Sequence, residues 1–420
     1  MSSNLRDHVP GFADAVSGGG NMRLTSLFLG VLLCVAALAV HSGARADSGV
    51  PVTGTDPGAA LGYALSLPEQ AGKVPFDPAR VDALVDFSIA DPDREKSSLP
   101  EVEGLTGTSH AFTTRVSLKK VIRYLYNPGI PSYLLMPSSL RASSWTGFVS
   151  GQEVLAELEQ RFNALDEPAV VVGTEREVIT PDANTGGYYA YDTDRVLALF
   201  RRGENRVLLS ISSQRTPSEV GRKGGVVGSD SDWNYLFSEE CGLTRTGLGW
   251  VDSYMYGARS VTVYVQPDDP SQPLRVAMYK WLRAGWAGMN MVKEKHILGG
   301  VRRYVSTLKE ILESPHLPPH RELEQLVRQV RRLPESDLRE RVAPYFSALC
   351  SLDDPMVRKR VFADDLRSGA YLNRLDRGEL ERIVLLEYLK CRLGKGSLLG
   401  SRFCVDGVGV ATARLESAQE

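Results

Sequence analysis

The chain has 420 residues, 43% of them hydrophobic and 24% charged, with a formal net charge of −2. That composition excludes a disordered or fibrous chain and leaves room for two ordinary globular domains. With 49 basic residues against 51 acidic ones, overall electrostatics implies neither nucleic acid nor an anionic membrane surface as a partner.

Residues 1–21 fit no targeting signal. Gly18-Gly19-Gly20-Asn21 is what a translated purine-rich ribosome-binding site encodes, so 1–21 reads as an extension ahead of a start at Met22 in a bacterial gene. From Met22 the pattern is a secretory signal peptide over 22–46: Arg23, an apolar run over 27–40, and Ala44-Arg45-Ala46, with cleavage after Ala46. The apolar run is shorter than the roughly 20 residues a spanning helix needs, so no integral membrane span is expected after processing. Leu33 ahead of Cys34 argues against lipid attachment. The expected address is the periplasm or the exterior.

Export leaves Cys241, Cys350, Cys391 and Cys404 in an oxidising compartment. They permit two disulfides in three connectivities. Cys391 with Cys404, close in sequence across a glycine-rich turn, is the favoured pair, and isolated buried thiols are the alternative. No CxxC occurs, which argues against a thioredoxin-like redox motif or a zinc ribbon.

Residues 47–75 are rich in Gly, Pro, Thr and Ala and read as a flexible lead-in. Asp77-Pro78 caps a short helix carrying Val81, Leu84 and Val85 on one face. The stretch 91–108 reads as a polar linker. Ser117 opens a helix with Leu118, Val121, Ile122 and Leu125 at helical spacing, which Asn127-Pro128-Gly129 ends. A short strand at 133–136 precedes an amphipathic helix over 150–165, with Val154, Leu155, Leu158, Phe162 and Leu165 inward.

The period then shifts towards two, giving strands at 169–179, 188–201, 206–213, 249–256 and 259–266 in antiparallel order. The stretch 274–313 is the longest helical pattern, with Gly299-Gly300 as a kink point. After the break at 315–319 come helices at 322–333, 335–349, 355–366 and 378–393. Residues 401–420 are a tail or a last strand.

The fold class is therefore α+β: an antiparallel sheet packed on a long C-terminal helix in a helix-grip-like manner, then an all-α region. The expected domains are 76–314, β-rich, and 320–400, helical.

Catalytic and metal motifs mostly fail. Asp230, Asp232 and Asn234 have the 1-3-5 spacing of a calcium loop, but Tyr235 stands where glycine is needed and Cys241 where glutamate belongs. GxSxG and HExxH are absent, and Pro318-Pro319 keeps His316 and His320 off a common helix face. No cofactor or metal is implied.

Aromatic residues concentrate between 186 and 265. Tyr189 and Tyr191 share one strand face, as do Tyr254 and Tyr256, and Trp233 lies in the loop between. Cross-strand pairing and pocket lining both account for such residues. The leading expectation is a non-enzymatic envelope protein holding a lipid-like, apolar or amphipathic ligand between sheet and long helix. Trp281, Trp286 and Met289 would floor that cavity, the four tyrosines would wall it, and Arg222 and Lys223 would meet an anionic headgroup. Two alternatives stand beside it. One is an envelope protein-interaction scaffold using the helical region. The other is a cell-wall or glycan hydrolase using Asp230, Asp232, Glu239 or Glu240.

Overall fold

The computed structural model describes residues 56–70, 72–90, 97–181, 186–245, 249–400 and 403–404. The extension, the signal peptide with its site after Ala46, and residues 405–420 lie outside the described residues.

Helix α1 (Pro57–Ser66) is capped by Asp56, and Asp77 caps a 3-10 turn (Pro78–Val81) that runs into α2 (Asp82–Ala90). Each aspartate accepts first-turn N–H groups, and a proline follows it where a missing N–H costs nothing. The stretch read as a lead-in thus carries a helix, whose Ala60, Tyr63, Ala64 and Leu65 are buried. Its small apolar residues lack an amphipathic signature because they face a sheet given by later sequence.

Strand β1 (Ser97–Val102) and the start of β2 (Leu105–Thr114) occupy the stretch 91–108 expected to be a polar linker. They form a hairpin through Glu103 and Gly104, at φ of 52° and 74°, a two-residue turn whose twist matches paired strands. Helix α3 (Leu118–Leu125) follows under a Ser117 cap, as expected. Residues 132–134 form a 3-10 turn, not a strand, and strand β3 (Leu140–Ser150) was not foreseen. Helix α4 (Gln152–Arg161) is shorter than its apolar pattern.

Strands β4 (Ala169–Ile179), β5 (Gly187–Tyr188), β6 (Ala190–Arg202) and β7 (Asn205–Gln214) match the period-two reading. Then come β8 (Arg222–Val227), β9 (Asn234–Cys241), β10 (Leu243–Arg245) and β11 (Gly249–Val251). Strand β12 (Tyr254–Pro267) is continuous where a break was expected at 257–258, its irregularity taken up by a bulge at Met255/Gly257.

The main correction concerns 274–313. Residues 274–285 are strand β13 (Leu274–Gly285), paired on both sides by β12 and β2, and only α5 (Glu294–Glu313) is helical. A backbone ladder on two edges outweighs a local apolar spacing that suits either period. Ala287 and Gly288, both at positive φ, turn the chain between them.

Helices α6 (His320–Arg332), α7 (Glu335–Cys350), α8 (Arg360–Ser368), α9 (Ala370–Arg374) and α10 (Arg377–Arg392) complete an all-helical C-terminal region. None of the described helices is long and apolar enough to cross a membrane. Cys391 and Cys404 form a disulfide, while Cys241 and Cys350 are free and exposed.

The large sheet is antiparallel throughout, in the order β1-β2-β13-β12-β7-β6-β4-β3, with β5-β8-β9 forming a smaller one. Both faces of the large sheet are buried. Val196, Ala198 and Phe200 join Val207, Leu209, Val261, Val263 and Trp281 under α1 and α2. The alternate residues Leu197, Leu199, Leu208, Tyr264 and Val276 meet α3, α4 and α5 in a second cluster that continues through α6, α7 and α10. A strand covered on both faces reads as an unbroken apolar run, as in Val196–Phe200, since neither parity faces water.

The helical region is tied to the small sheet by a fully buried pair. Lys390, 0% exposed, donates to Glu387 and to Asn234, each at 2.6 Å. Glu387 also accepts from Ser397 at 2.9 Å and from Leu398 N–H at 2.6 Å. Burial pushes the Lys390 ammonium below its usual range and Glu387 opposes that. Lys390→Met should therefore cost about 3–5 kcal/mol in urea unfolding, because Glu387 is left buried without its partner. Changing both residues to apolar ones should recover part of that; a single-variant loss below about 1 kcal/mol would contradict the assignment.

Candidate functional site

Strand β3 ends the large sheet and pairs only with β4. The small sheet and the ends of α6 and α10 stand near the start of this strand. The space between is a cleft of about 450 Å³. Residues 141–144 of β3 form one wall. Tyr188, Arg222 and Glu239 come from the small sheet, and Arg331, Asp376, Glu379 and Arg382 from the helices; Tyr133, Val178 and Val220 add apolar surface.

Charge organises the helical wall. Glu379 accepts from Arg141 Nε at 2.5 Å and from Arg382 Nη2 at 3.1 Å. Burial would raise the Glu379 carboxyl, but Arg382 and Arg141 together outweigh it and hold it below the usual range. The Arg141 guanidinium also lies 4.0 Å from the Phe237 ring centre, and Arg382 lies 5.2 Å from the same ring. Both contacts are attractive for a cation held off from water.

Two guanidiniums thus share one carboxylate. Each carries five N–H donors, and Glu379 engages one from each. Arg382 is only 8% exposed, and its Nε has no hydrogen-bond partner among the described residues. A buried donor left unmade costs about 1–3 kcal/mol, which an incoming acceptor that reorganises this wall can recover. Arg331 adds an exposed cation nearby. On the other wall Arg222 is neutralised by Glu239 and, at 3.8 Å, by Glu219.

Behind β3 lies an ion network. Ser143, which also lines the cleft, donates to Glu175. Arg195 pairs with Glu175 and, at 2.7 Å, with Glu177, which accepts from the Tyr191 hydroxyl at 2.8 Å. Burial raises the Glu175 carboxyl against the opposing pull of Arg195. Its carboxylates are already engaged, so this network reads as scaffold for β3, not as an acid–base pair.

Of the expected ligand residues, only Arg222 lines the cleft. Lys223 pairs with Glu240 at 2.7 Å, and the Tyr189 hydroxyl meets Ser253 at 3.0 Å. Tyr191 belongs to the ion network. Trp233 is 1% exposed, in a left-handed turn beneath Lys395. Tyr254 and Tyr256 stack on each other at 5.9 Å near the start of β12. Trp281 lies on β13 in the core under α1 and α2, across Gly107, and donates to Pro100 O at 2.9 Å. Trp286 and Met289 sit in the β13–α5 connection, and Met289 is 45% exposed.

These residues therefore do not converge. The space where α5 meets the sheet, among Phe112, Tyr264, Val276, Leu308 and Leu312, is about 10 Å³, at most a single water. Among the four carboxylates weighed for hydrolysis, Glu239 alone lines the cleft. Asp230 pairs with Arg303, Asp232 caps Ser229, and Glu240 holds Lys223.

Arg141, Glu379 and Arg382 escaped the sequence reading. Arg141 sat in a strand that was not foreseen, and 377–382 looked like an ordinary solvated helix face. Their only signal is proximity across more than 230 residues of chain, which no local pattern carries.

No known protein family, curated protein or solved structure matches this chain.

A carboxylate held below its usual range stabilises the fold above its unfolded value, about 4.3, and loses that stabilisation as pH falls through the lowered folded value. Glu379→Gln should accordingly cost roughly 3 kcal/mol or more at pH 7. In urea titrations the gap to the unaltered protein should shrink as pH falls below about 4. A gap independent of pH would separate Glu379's role from its charge.

Proposed function

We propose that the protein is an exported bacterial envelope protein that binds, without chemistry of its own, a ligand carrying a carboxylate and an apolar part. The observation that carries this reading is the helical wall of the cleft, where Arg141 and Arg382 share Glu379 and one buried Arg382 donor stays unpaired. Tyr133, Val178 and Val220 would take the apolar part. An amphipathic ligand keeps its place in this reading, but its site moves from beneath α5 to the edge of the sheet. Export is supported by the signal-like pattern of residues 22–46 and by the Cys391–Cys404 disulfide, since such bonds persist in oxidising compartments.

Binding can be measured by calorimetry with N-acetylated amino acids and short fatty acids as probes. Arg382→Met should weaken the tightest of them at least ten-fold, and Arg331→Gln a few-fold, in line with hydrogen bonds to charged groups. The matching amides should bind far more weakly. Equal affinity for acids and amides, or no binding of any probe, would overturn the reading.

Export has its own check. Protein recovered from the periplasm should begin at Asp47, carry one disulfide and titrate two free thiols, Cys241 and Cys350. Recovery only from the cytosol, with the segment before Asp47 retained, would count against it.

A further inference from the structure

Strands β6, β7, β12, β13 and β2 each set one residue in a row across the large sheet. Arg195 stands opposite Ser212, Ser212 opposite Ser260, Ser260 opposite Lys280, and Lys280 opposite Thr108. Directly opposed residues share a face, so all five project to the side that carries Leu197, Leu208, Tyr264 and Val276 further along the same strands. Apolar packing thus gives way to a polar row on strands that are hydrogen-bonded along both edges. Arg195, Ser212, Ser260 and Lys280 are half-buried, and none of them lines the cleft beside β3.

Within the row the Ser212 and Ser260 hydroxyls meet at 2.7 Å. Lys280 makes no hydrogen bond or ion pair with any described residue. Carboxylates border both ends of the row, and each is committed: Glu175 and Glu177 to Arg195, Glu294 to Thr108 at 3.3 Å and to Ser98 at 2.8 Å. Burial pushes the Lys280 ammonium below its usual range; Glu177 opposes that shift and Arg195 adds to it. Lys390 is also lowered by burial, but there Glu387 and Asn234 close on the amine at 2.6 Å each. An amine whose proton is destabilised and that no acceptor holds presents its lone pair to a ligand.

From this geometry we infer a second ligand site, in which Lys280 is a nucleophilic amine that holds an aldehyde as an imine and the Ser260–Ser212 hydroxyl pair passes protons beside it. The nitrogen adds to the carbonyl carbon, and both amine protons leave with the carbonyl oxygen as water, so no oxidant or reductant is needed. Ser260 stands directly opposite, where cross-strand Cβ atoms are about 4.5–5.5 Å apart, and a lysine side chain reaches its hydroxyl without backbone movement. Met278 and Leu282 flank Lys280 on the same face and are half-buried as well, which favours an aldehyde with an apolar chain over a charged one. The site binds covalently and reversibly without turnover, and it is independent of the carboxylate reading of the cleft.

The test incubates the mature chain with hexanal and cyanoborohydride, which reduces imines to stable secondary amines, and locates the alkylated lysines by peptide mass spectrometry. Near neutral pH, Lys280 should be labelled about ten-fold or more faster than the exposed Lys293 and Lys295 of the same molecule, because less of it is protonated. That excess should shrink as pH approaches the ordinary lysine value, about 10.4, where the exposed amines lose their protons too. Ser260→Ala should slow labelling of Lys280 several-fold and leave Lys293 and Lys295 unchanged. The excess at Lys280 should be larger with hexanal than with acetaldehyde.

Labelling of Lys280 no faster than that of Lys293 would overturn the inference, and this comparison is made within the unaltered chain, so it requires no variant to fold. An excess equal for hexanal and acetaldehyde would overturn the apolar-chain assignment.

Discussion

Everything in this fold depends on a single sheet being buried on both faces. Each central strand must supply apolar residues of both parities, one set to α1 and α2, the other to α3, α4 and α5. Burying a Val, Leu or Phe side chain is worth about 1.5–3 kcal/mol, so the centre of the sheet makes a large favourable contribution. A consequence is that polar chemistry is driven outward, to the ends of strands and to the last strand. The Glu175–Arg195–Glu177 network and the cleft beside β3 occupy that margin.

The second requirement is that α10 reach the margin in the right place. One apolar cluster runs from the sheet through α6, α7 and α10, and polar ties help to fix it, among them Lys390 to Asn234, the Phe237 N–H to the Tyr371 hydroxyl at 2.7 Å, and Arg141 to Glu379. Phe237 has a double part. Its backbone anchors α9, and its ring lies beneath the guanidiniums of Arg141 and Arg382. The cleft therefore has charged walls drawn from well separated parts of the chain.

Around Glu379 two arginines meet one carboxylate, while Asp376 and Glu381 line the same wall. In a fully structural cluster the donors close on acceptors, as they do around Glu387, where the carboxylate meets Lys390, Ser397 and the Leu398 N–H. Around Glu379 they do not. Both clusters centre on a glutamate of α10, but one is closed by a lysine, a serine and a backbone N–H and the other by two arginines.

The α+β class, the helices capped by Asp77 and Ser117, strands β4, β6 and β7, and the helical C-terminal region were determined by local sequence. Capping, turn chemistry and periodicity act over a few residues, and they leave marks there. So did the Cys391–Cys404 pair, whose partners are close in the chain. Local sequence failed at 274–285, which was read as the start of a long helix whose clear stripe lies further on, and pairing with β2 and β12 makes it a strand. It failed likewise at 97–108, read as a linker, where β2 pairs with β13 and β1 with β2. The cleft was decided by tertiary structure alone. Arg141 and Glu379 stand 238 residues apart in sequence, and their meeting depends on where a whole helical region docks on the sheet, a constraint written in no segment by itself.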